Sequence, residues 1–250
     1  MDLGKIRIIV VEPAGSRNVG SIARVMKNFA LSNLILVNPQ CEHLGLEARH
    51  MAVHAQDVLE SAIVVPTLLD GLQGCKQAIA TCGDDRDLGI PPESPQIALP
   101  WLLEADVQPA ALIFGREDTG LTNEELNYAQ RLVRIPSNPD YSSLNLATAV
   151  GICCYQLSIS LESHDLEQEV SLPSKTTDLA PLDVVEAYYQ QLESLLLKIG
   201  YLYPHTAFSR MEKFRQMYHR TQLKNREVAM LRGVLRQFAW ALSQRKNDES

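Results

Sequence analysis

Ile6-Arg7-Ile8-Ile9-Val10-Val11-Glu12-Pro13-Ala14-Gly15-Ser16-Arg17-Asn18-Val19-Gly20-Ser21-Ile22-Ala23-Arg24 is the stretch that decides the fold. Its first six residues are almost all β-branched, the pattern of a strand covered on both faces. A loop of Gly, Ser and Asn follows. Helical spacing then runs from Asn18 to Ala30, with Ile22, Val25, Met26 and Phe29 on one side. Strand, turn and helix in that order predict one βα unit of a parallel sheet.

The same signal recurs outward from this unit. Asn33–Val37 (NLILV) predicts a second strand, stopped by Asn38-Pro39. Gln77–Cys82, Ala110–Phe114 (AALIF) and Leu132–Ile135 predict three more, and Ser143–Leu161 a long apolar-rich helix. Apolar strands alternating with helices predict an α/β fold, a mostly parallel sheet flanked by helices. Composition then changes. Residues 162–181 are rich in Glu, Asp, Ser and Thr with two prolines, and predict an acidic linker. Beyond it, Leu182–Ile199 is amphipathic and ends at Gly200, a C-cap residue type. Met211–Leu223 and Val228–Leu242 predict two further helices. The expected organisation is a main domain over 1–161, a linker over 162–181 and a small all-α extension over 182–250. A unit that small gains stability by docking on the main domain or a second subunit.

Composition excludes several classes. A chain of 250 residues with 46% hydrophobic and 21% charged residues is globular. The net charge of −7 argues against a general nucleic-acid coat, but its distribution is uneven. Residues 1–160 carry 11 basic and 18 acidic side chains, 161–197 carry 1 and 8, and 198–250 carry 11 and 4. The basic end permits a local polyanion-binding surface or, equally, a solvated helix face. Five cysteines without a C-x-x-C pair suggest neither a disulfide framework nor a zinc knuckle. With no signal-peptide layout and no long apolar window, a cytoplasmic location without membrane contact is expected. The dinucleotide fingerprint, the P-loop and the hydrolase elbow are all missing. His50 and His54 have helical metal-binding spacing but lack a zincin glutamate, so no metal is expected.

Three segments carry chemistry. After the first strand, the loop before Asn18 offers backbone N–H groups to an anion, and Arg24 can hold a phosphate. The plain alternative is a helix capped by Asn18 with a surface arginine. After Ala110–Phe114 comes Gly115-Arg116-Glu117-Asp118-Thr119-Gly120-Leu121, placed where α/β proteins bind ligands. Arg116 and Glu117 there read otherwise as a local ion pair. Thr122 and Glu125 form a capping box for the next helix. The third segment, Ile135-Pro136-Ser137-Asn138-Pro139-Asp140-Tyr141-Ser142-Ser143-Leu144-Asn145-Leu146-Ala147, leads from the last strand into the apolar helix. Ser142 or Ser143 suits an N-cap. Asn145, in the first turn of an apolar helix, needs a partner and so braces a loop or contacts a ligand.

The strings N-x-G-S-I-A-R, F-G-R-E-x-x-G-L and I-P-x-N-P-x-Y-S-S-L-N-L-A, in this order and spacing, resemble the three motifs of the SpoU/TrmH branch of the SPOUT methyltransferases, most closely its TrmJ group. The resemblance spans nearly the whole chain. It implies a C-terminal deep trefoil knot, a homodimer whose sites draw on both subunits, and S-adenosylmethionine as cofactor. By the same resemblance Thr81, Cys82, Gly83, Gly115, Glu117, Gly120, Ile135, Ser143, Leu144 and Asn145 hold the cofactor. Arg24 matches the catalytic arginine, with Asn18 and Ser143 beside the reacting groups. The implied activity is methyl transfer to a ribose 2′-hydroxyl of tRNA, at cytidine or uridine 32 of the anticodon loop. The competing readings are methylation of ribosomal RNA and a non-catalytic RNA-binding protein on this fold. Arg7, Arg17 and Lys27 beside the cleft, and Arg210, Lys213, Arg215 and Arg220 in the basic tail, are the expected RNA contacts. Thr81-Cys82-Gly83-Asp84-Asp85-Arg86 departs from the more basic run usual there, which alters how that loop meets RNA.

Overall fold

The computed structural model describes residues 3–83, 90–104, 108–168 and 178–248. Among them six strands form one sheet: β1 (Ile6–Val11), β2 (Asn33–Val37), β3 (Ile63–Val65), β4 (Gln77–Thr81), β5 (Ala110–Phe114) and β6 (Arg131–Val133). Their spatial order is β3-β2-β1-β5-β4-β6, and every pairing is parallel. The unbroken apolar run of β1 has its cause here, because β1 and β5 are central and covered on both faces.

The helices of this unit are α1 (Ser16–Asn28), α2 (Leu46–Ala52), α3 (Gln56–Glu60), α4 (Leu68–Leu72), α5 (Pro95–Ala98), α6 (Asn123–Leu126) and α7 (Leu146–Gln168). Alternation along β1 sorts the two faces. Ile6, Ile8 and Val10 join Val19, Ile22, Ala23 and Met26 of α1 in one core, which also takes in Val150, Cys153 and Leu157 of α7. Ile9 points to the other face, against Gly71 of α4. Arg7 shares that face, where its guanidinium donates to the carbonyls of Gly71 and Gln73 at 2.8 and 2.7 Å. It therefore caps the end of α4, on the side of the sheet away from α1 and Arg24, and does not line one cleft with them.

The structure differs from the sequence reading at β3, which that reading does not predict, and at the ends of β6 and α7, each for a local reason. β3 is an edge strand of three residues with Ile63 and Val64 exposed, so it presents no buried run to detect. β6 stops at Val133, and Arg134 and Ile135 leave the ladder. α7 begins at Leu146, because Asn145 rather than a serine takes the capping position: its Oδ1 accepts from Thr148 N–H at 3.2 Å.

The chain divides into two compact units, Met1–Thr176 and Thr177–Ser250. Of the stretch read as a linker, residues 162–168 continue α7 and 178–181 belong to the second unit. Residues 169–177 lie outside the described residues, as do Asp84, Asp85 and Arg86. The second unit contains α8 (Leu182–Lys198), α9 (Pro204–His219) and α10 (Asn225–Asp248) around Tyr188, Leu192, Leu195, Met211, Val228 and Leu235. Gly200 adopts φ 76°, and N–H groups of Gly200 and Tyr201 return to Leu197 and Leu196, which closes α8 in a Schellman turn. α9 starts at Pro204, well before Met211, since proline suits the first helical position. Inside this unit Arg215 forks onto the buried carboxylate of Glu186 and lies 4.6 Å from the Tyr189 ring centre. Arg215 is thus a core tie between α8 and α9, not part of an RNA-facing patch.

Helices α1 and α2 touch closely at Gly20. A Cβ there would stand 2.2 Å from Ala48 O and 2.9 Å from Met51 Cβ. Gly20→Ala is expected to destabilise the first unit by about 1–3 kcal/mol through overpacking. Urea denaturation checks this, and an unchanged midpoint would show that the helices are not packed this way.

Candidate active site

The sheet order decides which loops meet. Val10 of β1 lies opposite Phe114 of β5, so the segments leaving their C-terminal ends, Glu12–Asn18 and Gly115–Gly120, run side by side. β4 beside β5, and β6 beside β4, add the segments after Thr81 and after Val133. The C-terminal ends of parallel strands are where open α/β sheets bind ligands. There the structure has a cavity of about 310 Å³, within the roughly 300–1,000 Å³ range of small-molecule sites. Thr81, Cys82, Gly83, Gly115, Glu117, Gly120, Ile135, Ser143 and Leu144 all line it, whereas Asn145 stands outside the wall.

One carboxylate joins two of the three segments directly. Glu117 accepts from Ala14 N–H and Gly15 N–H, both at 3.0 Å, and from Asn18 Nδ2 at 2.9 Å. Gly15 is the N-cap of α1 and supplies no side-chain cap of its own. Glu117 therefore caps α1 from a distant loop and places a negative charge at its positive end. Asn18 is not the cap but lies within the first turn, and its Oδ1 accepts from Asn145 Nδ2 at 3.1 Å. The chain Glu117–Asn18–Asn145 thus links all three segments, with Asn145 also capping α7. Of the two roles open to Asn145, the structure shows the brace. Burial pushes the Glu117 carboxyl up, but the bonds from Asn18, Ala14 and Gly15 outweigh it and hold the group below its ordinary value.

Arg116 does not pair with Glu117. Its Nε donates to Glu12 at 2.7 Å, and Nη1 and Nη2 fork onto Glu125 at 2.9 Å each. Glu12 and this fork were not found by sequence reasoning, since partners 104 positions apart leave no local pattern. Arg17 and Arg24 are exposed on α1, and among the described residues neither side chain has a hydrogen-bond or ion-pair partner. Lys27 is engaged with Asp57 at 2.7 Å and the His54 carbonyl at 2.9 Å. Among the described residues no cluster of His, Cys, Asp and Glu could hold a metal, and no helix is long and apolar enough to cross a membrane.

Comparison with known proteins identifies the family. A model of the SpoU rRNA Methylase family matches residues 5–155, and one described as "tRNA methyltransferase TrmJ, C-terminal domain" matches residues 183–249. The chain belongs to the SpoU methylase family, in its TrmJ group. It is 39% identical over 235 residues to the tRNA (cytidine/uridine-2′-O-)-methyltransferase TrmJ of Pectobacterium atrosepticum, covering 93% of this chain and 96% of that one. It is 37% identical over 258 residues to the tRNA (cytidine/uridine/adenosine-2′-O-)-methyltransferase TrmJ of Pseudomonas aeruginosa, covering 99% and 100%. The crystal structure of TrmJ from Z. mobilis ZM4 superposes with a TM-score of 0.81 at 30% identity, over 93% of this chain and 98% of that one.

As a SpoU methylase the chain is a methyltransferase whose methyl donor is S-adenosylmethionine. The cavity suits that group. Gly83 and Gly120, both on its wall, have open space where a side chain would stand, so bare backbone faces the volume. Phe114, Leu121, Val133 and Leu144 offer apolar surface to a nucleobase.

The lowered Glu117 value gives a signed prediction. A carboxyl with a depressed folded value stabilises the protein fully above its unfolded value of about 4.3, and this is lost as pH falls through the folded value. Glu117→Gln is therefore expected to flatten the fall of stability between about pH 5 and the acid limb. Thermal midpoints measured across that window decide it, and an unaltered slope would mean that Glu117 is not bonded as described.

Proposed function

We propose that the chain transfers the methyl group of S-adenosylmethionine to a ribose 2′-hydroxyl of tRNA, at cytidine or uridine 32 of the anticodon loop. The single observation that carries this reading is the Glu117–Asn18–Asn145 chain, which ties α1, the helix that carries the unpartnered Arg24, to a loop of the cavity wall. The TrmJ-type C-terminal match favours tRNA over ribosomal RNA. Position 32 follows from the family resemblance.

The sulfonium donor supplies an already activated methyl group, so the protein's task is to orient the acceptor and accommodate one proton. Arg24 stays charged at any working pH and is a poor base. Its guanidinium holds the phosphate next to the target ribose and stabilises the developing alkoxide, while phosphate or water takes the proton. Asn18 is fixed by Glu117 and Asn145, so it sets the start of the helix that carries Arg24. Ser143 lies on the cavity wall and contacts the reacting end. Arg17 extends the cationic surface of α1. Arg210, Lys213 and Arg220, exposed on and just after α9, grip the tRNA backbone.

The same reading includes a threaded C-terminal crossover and a homodimer. α7 supports the dimer because it has no single apolar stripe and leaves Tyr155 and Ile159 exposed. Val25, Gly151, Ile152 and Tyr155 form a shallow face over α1 and α7, with Tyr155 exposed. A cytoplasmic location accords with a tRNA substrate and with five free cysteines.

The test is incubation of the protein with labelled S-adenosylmethionine and unmodified tRNA, followed by mass-spectrometric mapping. Wild-type protein is expected to label the ribose of nucleotide 32. Arg24→Ala is expected to lower turnover about 100- to 1,000-fold, the scale for losing one charge-stabilising donor, with cofactor binding retained. Near-normal turnover in that variant would remove Arg24 from the mechanism. Tight tRNA binding without any transfer would favour a non-catalytic protein.

A further inference from the structure

The loop that closes the cofactor cavity is held through Arg116, a residue of the cavity wall whose two carboxylate partners, Glu12 and Glu125, stand outside that wall. Gly115–Leu121 doubles back on itself: Arg116 N–H donates to Gly120 O and Gly120 N–H to Arg116 O, both at 3.2 Å. The closure is tight, since a Cβ on Gly115 would lie 2.2 Å from Gly120 C and 2.4 Å from Leu121 N. Gly120 takes φ 66°, which its lack of a Cβ allows. Two backbone bonds and the Glu117 bonds to the start of α1 hold part of this turn, but the glycine near each end leaves other conformations open to it.

The Arg116 side chain supplies the restraint. Besides Glu12 and the two oxygens of Glu125, its Nη1 donates to Gly120 O at 3.2 Å. One guanidinium thus bonds the far end of its own loop, the turn after β1 and the first turn of α6. Each carboxylate is itself anchored. Glu125 accepts from Thr122 N–H at 2.7 Å in the capping box. Glu12 accepts from Asn38 Nδ2 at 3.1 Å. Glu12 and Asn38 sit at φ 47° and 43°, left-handed conformations that asparagine tolerates but glutamate does not adopt cheaply. Such outliers persist where the surroundings over-determine them. The Arg116 side chain is one-fifth exposed, so its bonds are shielded from competing water. Consistent with this, the bond to Arg116 lowers the Glu12 carboxyl from its ordinary value, and Glu125 is lowered by Arg116 and Thr122 against the upward push of burial.

We propose that Arg116 is a positioning residue for the methyl donor: by bridging Glu12 and Glu125 it holds the Gly115–Leu121 loop in the shape that binds the cofactor, without itself entering the chemistry. Removing it breaks four bonds and leaves two carboxylates that had shared one cation. Lysine keeps the charge but cannot fork onto Glu125 while reaching Glu12 and Gly120 O. The loop would then sample open shapes, and cofactor affinity would fall by the fraction of time it spends closed.

The proposal rests on the cofactor reading of the cavity, and calorimetric titration of the full chain with S-adenosylhomocysteine separates the two. If wild-type protein does not bind, the cavity assignment fails. If it binds, Arg116→Lys is expected to weaken binding by about ten- to a hundredfold, the scale of charge-assisted hydrogen bonds. In methyl-transfer assays the same variant should raise KM for S-adenosylmethionine by a similar factor and leave kcat at saturating cofactor within about threefold of wild type, since the loop is then refilled by mass action. A purely structural role would lower the melting temperature while leaving affinity well below melting unchanged, and that result overturns the proposal. Should Arg116→Lys fail to fold, Glu12→Gln decides: it keeps the fork to Glu125, and is expected to weaken binding several-fold, whereas wild-type affinity would overturn the proposal.

Discussion

A carboxylate capping a helix that begins a hundred residues earlier is the contact on which the rest of this molecule depends. Glu117 leaves β5 and satisfies the open N–H groups of Ala14 and Gly15, which precede α1 after β1. It can do so only because β1 and β5 are paired at the centre of the sheet. That pairing follows from two apolar runs, IRIIVV and AALIF, that neither water nor an edge position would accommodate. From the pairing come the adjacency of the loops, the fixed start of α1, and the orientation of Asn18 towards Asn145. The start of α1 and one wall of the cofactor cavity are thereby fixed to each other.

Arginine is used here in two physically distinct ways, and the distinction organises the functional surface. Arg7, Arg116 and Arg215 are committed inward, to carbonyls at the end of α4, to Glu12 and Glu125, and to Glu186. Their planar forks suit fixed multidentate bonding, and each ties together segments far apart in sequence. Arg17 and Arg24 are exposed on α1 with no such commitment among the described residues, which leaves them for a polyanion. Charge counts along a sequence cannot separate these groups, so a basic segment overstates the cationic surface it presents.

The central strands and the long helices were legible because each is encoded locally, whereas the cavity walls were named through the family resemblance. Periodicity marks α1, a long apolar-rich run marks α7, a proline or asparagine stops a strand, and glycines mark close backbone approach. What was not legible depends on pairing across the sheet. β3 contributes three residues with two exposed side chains, so no buried pattern marks it. Asn18 reads locally as a helix cap and Arg116 with Glu117 as an ion pair. In the folded chain Glu117 does the capping, while Arg116 turns to Glu12 and Glu125. Asn145 shows the converse: its residue type demanded a partner, and only the fold could say that the partner is Asn18 and that the same side chain caps α7.

The central claim is that the segments after β4, β5 and β6 enclose the methyl donor. A crystal structure of the full chain with S-adenosylhomocysteine tests it most directly. The nucleoside is predicted to lie between Thr81–Gly83, Gly115–Gly120 and Ile135–Leu144, with Glu117 still bonded to Asn18 and Asn18 to Asn145. A ligand seated on another face of the sheet, or one that displaces Glu117 from the start of α1, would contradict the account.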